Sequence, residues 1–300
     1  MSLYVNRVRY KGGSPTLGAS SGIINNAVIN GHDFYDDNYN PAPPAHDYSQ
    51  DYFTIEPIDG GNITLQFAKT GSPASFSVYY STDGVNWRIM TTTNSVTLTG
   101  KVYLRANVNH WGGSTSNYWK FNIQQDYKIY GNIMSLIYDD NFLNQTTLKA
   151  NYEFNGLFRN STHLVDAENL VLAATTLTNN CYANMFRNCT SLTIAPELPE
   201  TNLAHACYQS MFWDCTSLTT TPILPATNLA TYCYNSMLRG CTSLNKVTCL
   251  ATNISATNCL TLWLQNVSTN GTFVKNSSMS SWPSGDDGIP SGWTIVDYVA

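Results

Sequence analysis

Hydrophobic and polar residues in the second half of the chain recur with a period of 26 residues. Three copies of one pattern read CYANMFRNCTSL from Cys181, CYQSMFWDCTSL from Cys207 and CYNSMLRGCTSL from Cys233. Repeats of about 20–50 residues are typical of solenoids, in which each unit buries its apolar face against the next unit. The pattern therefore predicts stacked units over this part of the chain.

Weaker copies extend the repeat in both directions. NYEFNGLFRNSTHL, around Leu157, precedes the first clear copy by 28 residues, and NCLTLWLQNV, which includes Cys259, follows the third. Terminal units of a solenoid differ from inner ones because one of their faces meets solvent. We therefore expect about five units over roughly residues 140–270, within a solenoid at 131–280.

The spacing within one unit predicts its local structure. Cys181, Met185 and Cys189 lie at i, i+4 and i+8, the spacing of one helical face. The following LTIAPELP indicates an extended segment that is interrupted by Pro196 and Pro199. Each unit is therefore predicted to be a short helix and a short strand, and the columns that are identical between copies are expected to face the core.

One column that differs between the copies is predicted to project outward. It holds Arg187, Trp213 and Arg239. Arg and Trp are residue types that contribute strongly to binding at interfaces, so these three residues form the candidate binding site. The alternative is that they only solvate the convex face or pack on it.

The first half of the chain has a different pattern. Residues 51–130 contain short alternating runs, such as NITLQF, SFSVYYS and KVYLRANV, separated by turn residues. This pattern predicts an antiparallel β-sandwich. Residues 1–50, with Gly-rich and Pro-rich stretches, predict an arm or linker with a hairpin turn at Asn30 and Gly31. Residues 281–300 predict a capping strand at 293–299. The expected fold class is thus α+β and β-rich, a sandwich followed by a short-helix, short-strand solenoid like that of leucine-rich repeats.

Residues 81–87, STDGVNW, resemble the Asp-box hairpin of sialidases and other β proteins. The resemblance implies a structural turn in which Asp83 accepts backbone hydrogen bonds and Trp87 packs underneath. The motif occurs once, without an arginine triad or an acid pair, so we do not expect a glycosidase.

The eight cysteines all lie between residues 181 and 259. Disulfides and zinc are alternatives for such a set. However, Cys181 and Cys189 are two helical turns apart, too far for a disulfide within a unit, and no CxxC pair occurs. Ladders of small apolar thiols along the solenoid fit the spacing better, and no metal is expected.

Composition and charge limit the classes of function that this chain can have. Charged residues make up 12% of the 300 residues and the net charge is −5, so nucleic-acid binding is not expected. Asn, Thr, Ser and Tyr supply the polarity, as in extracellular and virion surface proteins. No apolar run predicts a membrane span, and MSLYVNRVRYKGG lacks the apolar core of a signal peptide.

No catalytic motif accompanies these features. The chain has no GxSxG, HExxH or P-loop pattern, and its five histidines are scattered. We therefore expect no enzyme activity, no catalytic residues and no cofactor.

The repeat region carries three further signals together: the MFxxCTSL-type stretches, the APELP of residues 195–199, and the GTFVK and GIPSGWTI segments within 271–295. In these residues it resembles the BspA-like leucine-rich repeat proteins of gut Bacteroidales and their phages, over about residues 130–296. The resemblance implies surface binding or adhesion without a cofactor. Bacterial members usually carry a secretion signal, and its absence here favours a phage-borne protein.

The expected function is therefore non-catalytic recognition of a bacterial or mucosal surface by a virion component, such as a head or tail fibre. Residues 1–50 are expected to dock onto other virion proteins, and the ligand to be a carbohydrate or a protein. The alternative is a bacterial adhesin, on the cell surface or secreted. Neither nucleic-acid binding nor membrane insertion is expected. Assembly into a homo-oligomer is left as an open possibility.

Overall fold

The computed structural model describes residues 46–109 and 111–299, together with the backbone of three short strands nearer the N-terminus. Those strands form one antiparallel sheet in the order β1-β3-β2; they are β1 (Arg9–Tyr10), β2 (Val28–Ile29) and β3 (His32–Tyr35). Strand β2 pairs antiparallel with β3, as a hairpin requires, and the predicted turn at Asn30 and Gly31 lies outside the described residues. Met1–His46 and the chain from Asp47 onward are separate compact units. The remainder of the predicted arm up to residue 45 lies outside the described residues.

The second unit is rich in strands and contains few helices. Its strands are, in chain order, β4 (Phe53–Pro57), β5 (Asn62–Thr70), β6 (Ser77–Ser81), β7 (Arg88–Thr91), β8 (Ser95–Thr99), β9 (Val102–Arg105), β10 (Gly112–Ser114), β11 (Asn117–Phe121), β12 (Tyr127–Asn132), β13 (Leu164–Asp166), β14 (Leu170–Val171), β15 (Thr220–Leu224), β16 (Lys246–Cys249), β17 (Gly271–Lys275) and β18 (Trp293–Asp297). Its helices are α1 (Ser135–Tyr138) and the single 3-10 turns Tyr48–Gln50 and Asp139–Asn141.

Strands β4–β12 form a sandwich-like arrangement, as the alternating pattern predicts. One sheet has the order β10-β11-β5-β8, and the other includes the path β12-β4-β9-β6-β7. Ile63, Leu65 and Phe67 are the buried alternate residues of β5. Phe53 of β4 meets Phe121 of β11 with ring centroids 5.7 Å apart, so the two sheets share one core.

Strand β12 joins this region to the solenoid. It pairs antiparallel with β4 on one side and parallel with β13 and β14 on the other. Further backbone bonds run from Phe121 N to Leu157 O (2.9 Å) and from Trp111 N to Glu153 O (2.9 Å). The hydrophobic core is consequently continuous from Phe53 to Trp293.

The C-terminal region is β-solenoid-like. Strands β15, β16, β17 and β18 lie side by side and parallel, one from each successive coil of the chain. A parallel bridge between Asp166 and Ile194 joins two earlier coils in the same way. The predicted stacking of repeat units is therefore confirmed.

The predicted helix in each repeat unit is wrong. Asn180, Asn184 and Asn188 have φ of 58°, 55° and 61°, so every fourth residue is left-handed and an α-helix is interrupted there. The N–H groups of Ala183 and Met185 donate to carbonyls three residues earlier, at 3.2 Å in both cases. The segment is a succession of β-turns. We call it a turn ribbon; the five ribbons are residues 152–161, 180–189, 206–215, 232–241 and 258–267.

Adjacent turn ribbons are joined by backbone hydrogen bonds. The N–H groups that do not close turns donate to the next coil, as in Tyr182 to Cys207 O (3.0 Å) and Phe186 to Met211 O (2.9 Å). The same pattern recurs along the array and ends with Gly240 to Gln265 O (2.8 Å). Alternation between turn and stacking bonds thus satisfies the buried N–H groups of the ribbon.

The identical columns form ladders inside the solenoid. Tyr182, Tyr208 and Tyr234 stack with ring centroids 5.8 Å and 6.3 Å apart. A second aromatic ladder runs from Phe158 through Phe186 to Phe212, with centroids 5.4 Å and 5.5 Å apart. The prediction that these columns face the core is confirmed.

The cysteines behave as the ladder hypothesis predicts. All eight are free and buried. The thiols of Cys189, Cys215 and Cys241 each donate to a phenylalanine carbonyl of the preceding coil, at 3.0–3.1 Å. A small side chain with a weak donor suits this column because it fits between coils and satisfies a carbonyl oxygen.

Residues 282–288 cover the final turn ribbon. Trp282 stacks on Trp263 with ring centroids 5.9 Å apart. Asp287 accepts the N–H of Leu262 (2.6 Å), and Gly288 accepts the indole N–H of Trp263 (2.9 Å). This segment therefore supplies partners for an end of the stack that has no further ribbon.

Candidate binding surface

The structure brings Arg187, Trp213 and Arg239 together. Each lies at the same position of its turn ribbon, and each side chain is partly buried. The inward positions of the ribbon hold the Cys, Tyr, Met and Phe columns, so this column projects from the opposite side. The repeat therefore aligns three residues that are 26 positions apart in the chain.

The two arginines stack on the tryptophan ring. The guanidinium carbon of Arg187 lies 3.6 Å from the Trp213 ring centroid, and that of Arg239 lies 4.6 Å from it. Because Arg187 comes from the preceding coil and Arg239 from the following coil, they cover opposite faces of the ring. Such cation–π contacts contribute about 0.5–2 kcal/mol each. Trp213 therefore holds the guanidinium groups and does not present a free ring face.

Two further cations extend the site and were missed at the sequence level. Arg159 occupies the same column in the first ribbon, and its Nη1 donates to the Tyr118 hydroxyl at 3.1 Å. Burial, followed by the charge of Arg159, lowers the pKa of Lys120 on β11. The 28-residue offset of the first copy pointed to Arg159, whereas no repeat signal pointed to Lys120. We call Arg159, Arg187, Trp213 and Arg239 the arginine–tryptophan row.

The arginines of this row have no carboxylate partner within 4.0 Å among the described residues. Ion pairs elsewhere in those residues include Arg105 with Asp139 and Asp140, Lys128 with Glu56, His163 with Asp126, and Lys275 with Asp297. The Nε of Arg187 is also buried without a hydrogen-bond partner. Burial lowers the pKa of Arg187, the charges of Arg159 and Arg239 lower it further, and Asp214 opposes them. The row is thus a concentration of incompletely paired positive charge.

A cavity of about 350 Å³ lies in the sandwich-like region. Its lining includes Phe76, Trp111, Trp119 and Asn107. Trp111 and Trp119 are only 1% and 3% exposed, and their indole N–H groups donate to Leu136 O and Ala74 O. The cavity is of ligand-binding size, but neither indole offers an open face for stacking.

The Asp-box hairpin has the structural role that its resemblance implied. Asp83 accepts hydrogen bonds from the N–H groups of Val85 (2.9 Å) and Asn86 (2.7 Å). The Asn86 side chain and these backbone groups hold the Asp83 pKa well below its usual range. Trp87 packs against Tyr52 and under the guanidinium of Arg105. The side chains of this motif are therefore engaged in stabilising the turn.

Comparisons with known proteins do not assign this chain to a family. No protein-family model, curated protein or solved structure matches this chain. Within residues 46–109 and 111–299, no group of three His, Cys, Asp or Glu side chains is arranged to hold a metal ion. No helix in the same residues is long and apolar enough to cross a membrane.

Proposed function

We propose that this chain is a non-catalytic binding protein on a phage virion, where its solenoid recognises a bacterial or mucosal surface. The observation that carries the proposal is the arginine–tryptophan row, which lines up binding-prone side chains on a stacked scaffold. The backbone hydrogen bonds between coils fix the position of each residue of the row along the solenoid, so little conformational freedom is lost on binding. Residues 1–50 serve in this proposal as the segment that docks onto other virion proteins.

The absence of catalysis is part of the proposal. The cysteine thiols are all buried, and burial raises the pKa of Cys181 to about 12 and that of Cys207 well above its ordinary value. A thiol that is neutral and inaccessible is a poor nucleophile. We further propose that the coils belong to the BspA-like leucine-rich repeat class, on the residues that carry the resemblance.

The test is a binding assay of the full chain on whole bacteria and on immobilised mucin. We expect saturable binding, and we expect Trp213→Ala to weaken it by about tenfold because both arginines lose their support. The melting temperature of the variant should fall by a few degrees at most, since Trp213 lies outside the core ladders.

A matched control is Trp87→Ala, which removes a partly buried tryptophan from the Asp-box hairpin. This variant should bind as the parent chain does. Unchanged binding by Trp213→Ala would remove the row from the proposal, and absence of binding to every cell and mucin surface would reject the proposal. Sedimentation of the protein with phage particles supports the virion assignment, whereas its recovery on the outer surface of a bacterium that encodes it supports the adhesin.

A further inference from the structure

The arginine–tryptophan row carries unpaired positive charge on an acidic protein. The chain has a net charge of −5, yet three arginines lie in one column and Lys120 is close enough to Arg159 for their charges to interact. The carboxylate of Asp214 only partly opposes this charge: the pKa of Arg187 is lowered by burial and by Arg159 and Arg239, and Asp214 acts in the opposite direction. A local field of this sign attracts anions.

Stacking on Trp213 orients the guanidinium groups of Arg187 and Arg239. A guanidinium that lies over an aromatic ring keeps the N–H groups at its edge available, and this edge matches a carboxylate or sulfate in two-point geometry. The ring also restricts both side chains before a ligand arrives. The ordering cost on binding is correspondingly low.

The regular stacking of coils favours a ligand with repeated acidic groups. Cross-coil bonds, such as Asn188 N to Trp213 O (2.7 Å) and Asp214 N to Arg239 O (2.8 Å), fix successive row members to adjacent coils. A polymer that repeats its charge therefore engages several guanidinium groups in one encounter, and the second contact gains from high effective concentration.

Neighbouring side chains favour a saccharide over a nucleic acid. Four residues before Trp213 and Arg239, on the same side of their ribbons, Gln209 and Asn235 form an amide pair with Nε2 3.3 Å from Oδ1. Amide groups are suitable partners for sugar hydroxyls. Single-stranded nucleic acids instead require open aromatic faces for base stacking, and both faces of Trp213 are covered.

We infer that the arginine–tryptophan row binds an acidic polysaccharide, whose carboxylate or sulfate groups contact the guanidinium groups of Arg159, Arg187 and Arg239. This inference rests on the proposed function, because it names the ligand class of the same surface. It assigns recognition to guanidinium groups, and it assigns Trp213 the role of positioning them.

The test measures binding of the full chain to heparin, polygalacturonate and neutral dextran at low and high salt. Heparin supplies sulfate and carboxylate, polygalacturonate supplies carboxylate alone, and dextran supplies neither. We expect binding to at least one acidic polymer, none to dextran, and loss of binding as salt screens the charges. The double variant Arg187→Gln with Arg239→Gln should bind about tenfold more weakly or worse.

The control is the double variant Arg88→Gln with Lys246→Gln, which removes two exposed cations from β7 and β16. It lowers the net charge by the same amount and should retain binding within about twofold, because these residues lie outside the row. Equal losses in the two double variants, or no binding to either acidic polymer, would overturn the inference. Binding of an oligodeoxythymidine that is as tight as that of the polysaccharides and needs the same arginines would also overturn it.

The outcomes separate this inference from the proposed function. Cell or mucin binding that survives Arg187→Gln with Arg239→Gln leaves the surface-binding proposal standing and rejects the acidic ligand. Polysaccharide binding that depends on the row, without any binding to cells or mucin, supports the acidic ligand and rejects the surface-binding proposal.

Discussion

At the residue scale, left-handed residues determine the shape of each turn ribbon. Asparagine supplies this conformation in the ribbon of Asn180, Asn184 and Asn188, and it tolerates positive φ better than most residues. At Gly240 (φ 73°) an added Cβ would lie 2.0 Å from Oδ1 of Asp214, so conformation and space both favour glycine there. The sequence contained this signal as Asn at every fourth position of the first clear copy.

Glu153 occupies the first ribbon at the position that Cys181 holds in the second. Its side chain is completely buried, and Oε2 accepts the N–H groups of Lys149 (3.0 Å) and Ala150 (2.9 Å). Oε1 has no hydrogen-bond partner. Burial raises the pKa of this carboxyl to about 8, against the opposing effects of the two N–H groups and the Lys149 charge.

This residue predicts a pH dependence of stability. The unfolded carboxyl, with a pKa near 4.5, loses its proton well before the folded one. The folded state therefore binds more protons between about pH 4.5 and 8, and the contribution of Glu153 to stability declines as pH rises through that range.

Urea denaturation at pH 5 and pH 8 measures the free energy of unfolding of the parent chain and of Glu153→Gln. Between these two pH values the free energy of unfolding should fall by roughly 3 kcal/mol more in the parent chain than in the variant. Glutamine remains neutral throughout, and the other titrating groups are common to both proteins. Parallel stability curves for the two proteins would contradict a buried, titrating Glu153.

At the element scale, the thiol columns predict a specific pattern of reactivity. Burial raises the pKa of Cys181 and Cys233 to about 12 each, so the native thiols are neutral at ordinary pH as well as inaccessible. Titration with a thiol reagent at pH 8, without reductant, should find few reactive groups in the native protein. All eight should react in denaturant. A count near zero in denaturant would show disulfides, and rapid reaction of the native protein would show exposed thiols.

The same element explains why the sequence predicted the right columns and the wrong conformation. Turns of this ribbon repeat every four residues, so Cys181, Met185 and Cys189 share a face as they would in a helix. Hydrophobic spacing alone does not separate these two structures. The strands were easier to predict because β5 alternates its burial strictly at Ile63, Leu65 and Phe67.

At the scale of the whole molecule, the sequence predicted a β-rich chain with a stacked C-terminal region. It did not predict that β12 pairs with β13 and β14 and joins the two regions through one core, because pairing between distant strands leaves no local pattern. For the same reason Lys120, which the sandwich-like region contributes beside Arg159, was missed. The aligned column of Arg187, Trp213 and Arg239 was predictable from the repeat, whereas the stacking of both arginines on one ring required the structure.

The binding surface depends on the turn ribbons, since their hydrogen bonds set the spacing of every outward column. Ser210, in the middle of the third ribbon, has φ of 55°, and its side chain is buried. In a left-handed position glycine is favoured over alanine by about 1 kcal/mol, whereas within a helix alanine is favoured over glycine by about the same amount.

The most direct measurement is therefore the free energy of unfolding of Ser210→Gly and Ser210→Ala, determined by urea denaturation under identical conditions. The turn ribbon predicts that the glycine variant is the more stable by about 1 kcal/mol. A more stable alanine variant would indicate a helix and would contradict the stacked-ribbon structure on which the binding surface is built.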